Sequence, residues 1–248
     1  MQFLADLFLH LYEEYDINFI VFFDQWEFDR YVKAIGLTLK LSVLCIMFSL
    51  LIGVAGAWLQ RSRVAPVRWL VYAYVQVFRN TPPLAQLYFF YFGLGTIMPR
   101  FRNEMGLMEP FLGNFEWAVL ALSLFAGAFN VEIFRSGVEA VPKTTVEAAS
   151  ALGYSRLKAY IYVIFPLAFR ISLPGLINNI VNLLKTTSIA YAIGVAEVLY
   201  VAQQVWAVEF NVPEMMTLVL VTYLAIVSIF VWLMSRLRRH MRIPGYDM

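Results

Sequence analysis

Apolar residues in this chain fall into long runs separated by short polar intervals. An α-helix needs about 20 mostly apolar residues to cross a hydrocarbon layer roughly 30 Å thick. Five runs meet that length: 35–59, 67–94, 115–134, 160–185 and 215–234. The second is interrupted by Arg79-Asn80-Thr81-Pro82-Pro83. The stretch 186–213 is apolar but broken by Gly194 and several polar residues, and reads as re-entrant or interfacial. Such a segment persists only when packed in protein or beside water. At the N-terminus, Leu4, Leu7, Phe8 and Leu11 recur at helical spacing among acidic residues. That predicts an amphipathic helix lying on the outer face. The expected fold is an all-α membrane protein with five transmembrane helices and this outer amphipathic N-terminal helix. Residues 1–33 form a periplasmic segment, 34–240 the transmembrane domain and 241–248 a cytoplasmic tail.

Composition agrees with that class. The 248 residues are 61% hydrophobic and 15% charged. Soluble domains carry about a quarter charged residues. Mean hydropathy is +0.68. A net charge of +2 leaves no footprint for nucleic acid. The N-terminus carries Asp6, Glu13, Glu14 and Asp16 and lacks the basic start of a signal peptide. The one cysteine, Cys45, rules out an internal disulfide.

Basic residues mark the cytoplasmic side of a membrane protein. Arg61, Arg63 and Arg68 follow the first run, Arg135, Lys143, Arg156, Lys158 and Arg170 lie between the third and fourth, and Arg236, Arg238, Arg239 and Arg242 close the chain. The opposite side holds Arg30, Lys33, Arg100 and Arg102 with most of the acids. The predicted topology is N-terminus outside and C-terminus cytoplasmic; the importer resemblance described below implies that the membrane is a bacterial inner membrane and the outside its periplasm. An odd number of crossings is required.

The third interval therefore lies inside the cell. It contains Glu147-Ala148-Ala149-Ser150-Ala151-Leu152-Gly153-Tyr154-Ser155, and later Ile164-Phe165-Pro166. The pattern predicts a short helix with a small-residue face, stopped where Gly153 permits positive φ. A second short helix leads into Pro166, which is expected to bend the start of the fourth span. Glu147, Ala148, Ala149, Gly153 and Pro166 resemble the EAA loop of ABC importer permeases, within a coupling segment at 143–166. Val163 and Phe165 depart conservatively from the family's Ile-x-Leu-Pro. The resemblance implies that the loop fits a groove on a separate ATPase. The chain has no Gly-x-x-x-x-Gly-Lys-Ser/Thr with which to cradle phosphates. The expectation is a non-enzymatic subunit without its own cofactor, ATP and Mg being bound by a partner ATPase dimer. His10 and His240 stand at opposite ends, so no histidine-based metal or catalytic cluster is expected.

Two further blocks are similar to polar amino-acid permeases. Arg79-Asn80-Thr81-Pro82-Pro83-Leu84-Ala85-Gln86 matches their Arg-x-Thr-Pro-x-x-x-Gln signature. Lys185-Thr186-Thr187-Ser188 matches a block after the fourth span, with Thr186 a departure. The tail Arg242-Ile243-Pro244-Gly245 resembles glutamate/aspartate-type permeases. The resemblance implies a type I importer half, a second permease favoured as a different chain, and a periplasmic amino-acid-binding protein. Polar groups in apolar spans face a pathway or each other. Gln86, Tyr91, Asn130, Glu132, Asn178, Asn182 and Lys185 are the pathway candidates. Carboxamides also tie membrane helices together, and Glu132 one turn from Arg135 also fits an ion pair, so both readings stand. Arg79 either caps carbonyls at the proline break or faces the pathway; capping is favoured. An ATP-independent secondary transporter or channel is the alternative function, predicting internal repeats that the sequence does not show.

Overall fold

The computed structural model describes residues 2–102 and 105–240, with side chains from residue 5 to residue 239. Along the chain run α1 (Gln2–Tyr15), a 3-10 turn (Ile20–Phe22), α2 (Gln25–Leu59), α3 (Ala65–Asn80), α4 (Pro83–Tyr88), a π-type turn (Phe89–Leu94) and α5 (Gly95–Ile97). A small antiparallel hairpin follows, β1 (Arg100–Arg102) and β2 (Met108–Pro110), with Phe101 opposite Glu109. Then come α6 (Asn114–Glu139), α7 (Lys143–Ala151), α8 (Arg156–Ala159), a π-type turn (Tyr160–Ile164), α9 (Phe165–Thr186), a 3-10 turn (Thr187–Ile193), α10 (Val198–Glu209) and α11 (Val212–His240). The tail motif at 242–245 lies outside the described residues.

Four helical stretches are long and apolar enough to cross a membrane: Gln25–Leu59, Asn114–Glu139, Arg156–Ile193 and Val212–Arg239. The second expected span is divided. Thr81 precedes Pro82 and is extended, at φ −118° and ψ 146°, because the proline ring disfavours helical backbone before it. Helix α3 ends there, and α4 restarts with Pro83 at its first position, where a missing N–H costs nothing. Pro166, one residue into α9, does not end the helix as the prolines at 82 and 83 do. Helical structure continues from Arg156 to Ile193 without a break. The π-type turn just before Phe165 widens the helix where Pro166 has no N–H to give and its ring presses on the preceding turn.

The chain divides into two compact units. One comprises residues 1–44, 87–120 and 184–228; the other comprises 45–86, 121–183 and 229–248. The core of the first unit packs Tyr31 and Ala34 with Val198, Val201, Val205 and Met215. Helix α1 docks through Phe8, stacked on Phe22 at 4.4 Å, with Tyr12 on Phe23 at 5.8 Å. Glu197, fully buried, caps α10 by accepting the N–H groups of Leu199 and Tyr200 at 3.0 and 2.9 Å. Its second partner is Tyr223, whose hydroxyl donates at 2.7 Å. The stretch after α9 is thus packed inside protein, the condition that an interrupted segment in a membrane requires.

In the second unit, small residues let backbones meet. A side chain at Gly53 would overlap Asn130, one at Gly56 would overlap Val131, and one at Gly137 would overlap Ser172. Close approach brings polar groups together across helices. Asn130, fully buried, donates to Ser49 Oγ at 3.2 Å and accepts from Asn179 at 2.8 Å. Asn179 also donates to the Ala126 carbonyl at 2.9 Å. The Tyr74 hydroxyl donates to the Leu124 carbonyl at 2.6 Å. Gly53→Leu forces this contact apart, and overpacking of this kind costs about 1–3 kcal/mol. The detergent-solubilised protein is expected to melt at a clearly lower temperature, whereas Gly36→Leu, with nothing near its added carbon, is expected to melt close to the parent.

Candidate functional site

Helix α7 is short and deliberately ended. Gly153 sits at φ +80°, a left-handed conformation that disfavours any side chain. Its N–H bonds the Ser150 carbonyl at 3.0 Å, and the Tyr154 N–H reaches back to Ala149 at 3.1 Å. These paired bonds are a Schellman termination, which satisfies carbonyls that a helix end leaves open. Ser155 then caps α8 by accepting the Lys158 N–H. Glu147, Ala148 and Pro166 are exposed, while Ala149 is buried and anchors the helix. Around the turn, Leu152 and Leu157 are 78% and 69% exposed, with Tyr154 also exposed. Exposed leucines on both sides of a tight turn form an apolar patch suited to contact with another protein. Sequence reasoning identified the Glu-Ala-Ala helix and Gly153 but not Leu152 and Leu157, because two leucines flanking a turn between short helical segments have no periodicity to announce them.

The break between α3 and α4 is sealed by Gln86. Its amide nitrogen donates to the Phe78 carbonyl at 2.9 Å, the Thr81 carbonyl at 3.1 Å and Thr81 Oγ1 at 2.6 Å. Arg79 does not cap these carbonyls, contrary to the favoured expectation. Gln86 already occupies them, and the guanidinium turns instead to the Phe129 ring at 5.3 Å and to Glu132 at 3.9 Å.

Glu132 is the centre of a polar cluster. Arg135 reaches it at 2.8 Å, Gln60 donates to it at 3.2 Å, and Arg135 also pairs with Glu139 at 2.9 Å. An open cavity of about 510 Å³ adjoins the cluster, lined by Arg79, Glu132, Ser136, Ser172 and Gly175 among others. Gln60 lies 72 residues from Glu132, a separation that hides the pairing from any local pattern. Of the other candidates, Asn130 is spent inside the bundle on Ser49 and Asn179. Asn178 and Asn182 stand one turn apart on the exposed side of α9, and Lys185, in its last turn, is exposed as well. Tyr91 is half-buried in the π-type turn after α4, edge-on to Phe92. The structure therefore separates the polar residues of the spans into two groups, those buried in helix contacts and those on more exposed positions.

The chain is similar to known proteins over most of its length. Residues 49–243 match the family described as the binding-protein-dependent transport system inner membrane component. The chain belongs to this family. It is an inner-membrane, multi-pass permease of the ABC importer class, on the branch of amino-acid transport permeases, and not an enzyme. The nopaline transport system permease protein NocM of Agrobacterium fabrum is 32% identical over 202 residues, covering 80% of this chain and 82% of NocM. The glutamine transport system permease protein GlnP of Escherichia coli is 33% identical over 212 residues, covering 86% of this chain and 93% of GlnP. A crystal structure titled as an amino acid ABC transporter with histidines superposes with a TM-score of 0.75 at 29% identity, over 86% of this chain and 94% of that one.

The matched range of the permease includes the α7 turn, the Gln86 seal and the Glu132 cluster, and begins after the first half of α2. Gln86 makes three hydrogen bonds that a single substitution would remove. Gln86→Leu leaves the Phe78 and Thr81 carbonyls without their donor inside the protein. An abandoned buried polar group costs about 1–3 kcal/mol. Thermal unfolding of the purified variant is expected to drop accordingly, with Gln86→Glu also destabilised because a carboxylate supplies no donor. An unchanged melting curve for both would refute the sealing role.

Proposed function

We propose that this permease is one half of the transmembrane part of an importer for a polar amino acid, working by alternating access. The observation that carries the proposal is the α7 turn, a rigidly terminated helix presenting exposed Leu152 and Leu157 beside Ala148 and Gly153. A surface of that shape suits a groove on a separate ATPase dimer, which would hold ATP and Mg. In this reading the N-terminus is periplasmic, the α7 loop and C-terminus are cytoplasmic, and 65–97 makes a fifth, broken crossing. Closure of the ATPase dimer pulls two such loops together and opens the cavity outward. A periplasmic amino-acid-binding protein then delivers cargo, and hydrolysis returns the cavity to the inside. A second permease, a different chain, completes the pathway.

An amino acid needs acceptors for its ammonium group and donors for its carboxylate. Glu132 supplies the former and Arg79 a donor beside it, in a cavity large enough for a small solute. Asn178 and Asn182 offer both donor and acceptor groups from α9. Lys185 and Tyr91 complete the set of pathway residues. The names of the relatives support the cargo class: glutamine, cystine, nopaline and octopine are amino acids or their derivatives. Acidic amino acids belong on the same list to be tried.

The test uses the whole complex in proteoliposomes with radiolabelled glutamine and glutamate. ATP-dependent uptake is expected, and uptake that persists without the ATPase would instead identify a secondary transporter or channel. Gly153→Pro is incompatible with φ +80°, since proline is held near −65°. That variant is expected to insert normally but to lose both uptake and binding-protein-stimulated ATP hydrolysis. Normal coupling in Gly153→Pro would overturn the assignment of the loop.

A further inference from the structure

A second, smaller cavity has no part in this scheme. It measures about 100 Å³ and is lined by Val54 and Trp58 of α2, Phe134 and Val138 of α6, and Phe165 and Phe169 of α9, with Ala57, Tyr160 and Ala168 closing it. Its walls are almost wholly apolar. Engineered apolar cavities of about 150 Å³ stay dry and take up benzene, so a space of this size suits a few methylene groups rather than water. The lining comes from the last turns of α2, the last turns of α6 and the first turns of α9. All three helix ends meet at one edge of the apolar spans. Trp58 is 65% exposed at that edge, where indole rings favour the boundary between hydrocarbon and headgroups.

Basic residues lie close in sequence to the lining. Arg61 and Arg63 follow Trp58 within five residues, Lys158 precedes Tyr160 by two, and Arg170 follows Phe169 directly. All four are exposed, and among the described residues none of them forms an ion pair. Exposed cations on the segments that line an apolar slot are complementary to an amphiphile with an anionic head. We propose that the slot holds one acyl chain of an anionic phospholipid, whose phosphate sits among Arg61, Arg63 and Lys158. Tyr160 and Phe165 flank the π-type turn that joins α8 to α9. A chain in the slot therefore packs against the joint through which movement of the α7 loop must pass. The inference rests on the membrane placement of these helices and on neither the cargo nor the ATPase.

The experiment is native mass spectrometry of the complete complex extracted from vesicles of phosphatidylcholine alone or mixed with phosphatidylglycerol. The parent is expected to retain phosphatidylglycerol in preference to phosphatidylcholine at a defined number per permease. Each Lys or Arg near an anionic surface contributes about 1 kcal/mol, so Arg61→Gln with Arg63→Gln and Lys158→Gln is expected to reduce that preference roughly tenfold or more. Val54→Phe or Val138→Phe, which fill the slot, are expected to abolish the retained lipid while thermal stability and ATPase co-purification stay at the parental level. Equal retention of both lipids by the parent overturns the proposal. So does retention that responds to the charge changes but not to filling, because that describes lipid at the surface only. Lipid held by the permease purified without the ATPase but absent from the complete complex would assign the slot to that protein instead. Transport is not read in this assay, so a failed cargo assignment and a failed lipid assignment remain distinguishable.

Discussion

Inside a hydrocarbon layer no water is available to complete a hydrogen bond, so each polar group must find its partner within protein. That constraint organises this permease. The side chains that the long helices carry into the apolar region are few, and most are committed. Asn130, Asn179 and Ser49 satisfy one another and the Ala126 carbonyl. Their meeting depends on Gly53, where any larger residue would drive Asn130 away. The same logic explains Gln86, which answers the carbonyls that the prolines at 82 and 83 leave open. A broken helix survives at this position because a carboxamide four residues beyond the break is long enough to fold back on it.

Once these commitments are set aside, the charged groups become informative. Glu132 is shared among Arg79, Arg135 and Gln60 and borders a cavity. This cluster combines a fixed charge with open space, which the Asn130 knot lacks. Opposite charges packed together also lower the cost of keeping any of them in a poorly solvated place. In the proposed scheme a passing solute with its own ammonium and carboxylate groups exchanges for parts of such a cluster. The drive in that scheme arrives elsewhere, at α7, where a Schellman turn fixes the helix end and leaves leucines outward. Rigid termination matters because a frayed helix would absorb a push rather than pass it on.

Much of this was legible in the sequence, for reasons that differ by element. The long apolar runs announced their helices through length alone. The α7 loop was legible because its determinants are local: small residues, then a glycine at the one position needing positive φ. Gln86 was singled out as polar in an apolar run, yet its role depended on which way the amide turned, and spacing cannot show that. Asn178, Asn179 and Asn182 look equivalent in the sequence, but a rotation of about 100° per residue sends Asn179 inward and its neighbours outward. Arg79 illustrates the harder case. Its nearest carbonyls were claimed by another side chain, so its partner lay on α6. The hairpin of β1 and β2 is three residues a strand and carries no alternating pattern, which left it invisible.

The central claim is that helix α9 buries Asn179 in the protein and turns Asn178 and Asn182 to its exposed side, and cysteine accessibility tests it most directly. In a Cys45→Ala background, Asn178→Cys, Asn182→Cys and Asn179→Cys are reacted with a small hydrophilic thiol reagent in the assembled complex, with and without ATP. Asn178→Cys and Asn182→Cys are expected to react at rates that change with ATP and fall when cargo is present. Asn179→Cys is expected to stay unreactive under every condition. Equal reactivity at all three positions, or labelling confined to Asn179→Cys, would contradict the account.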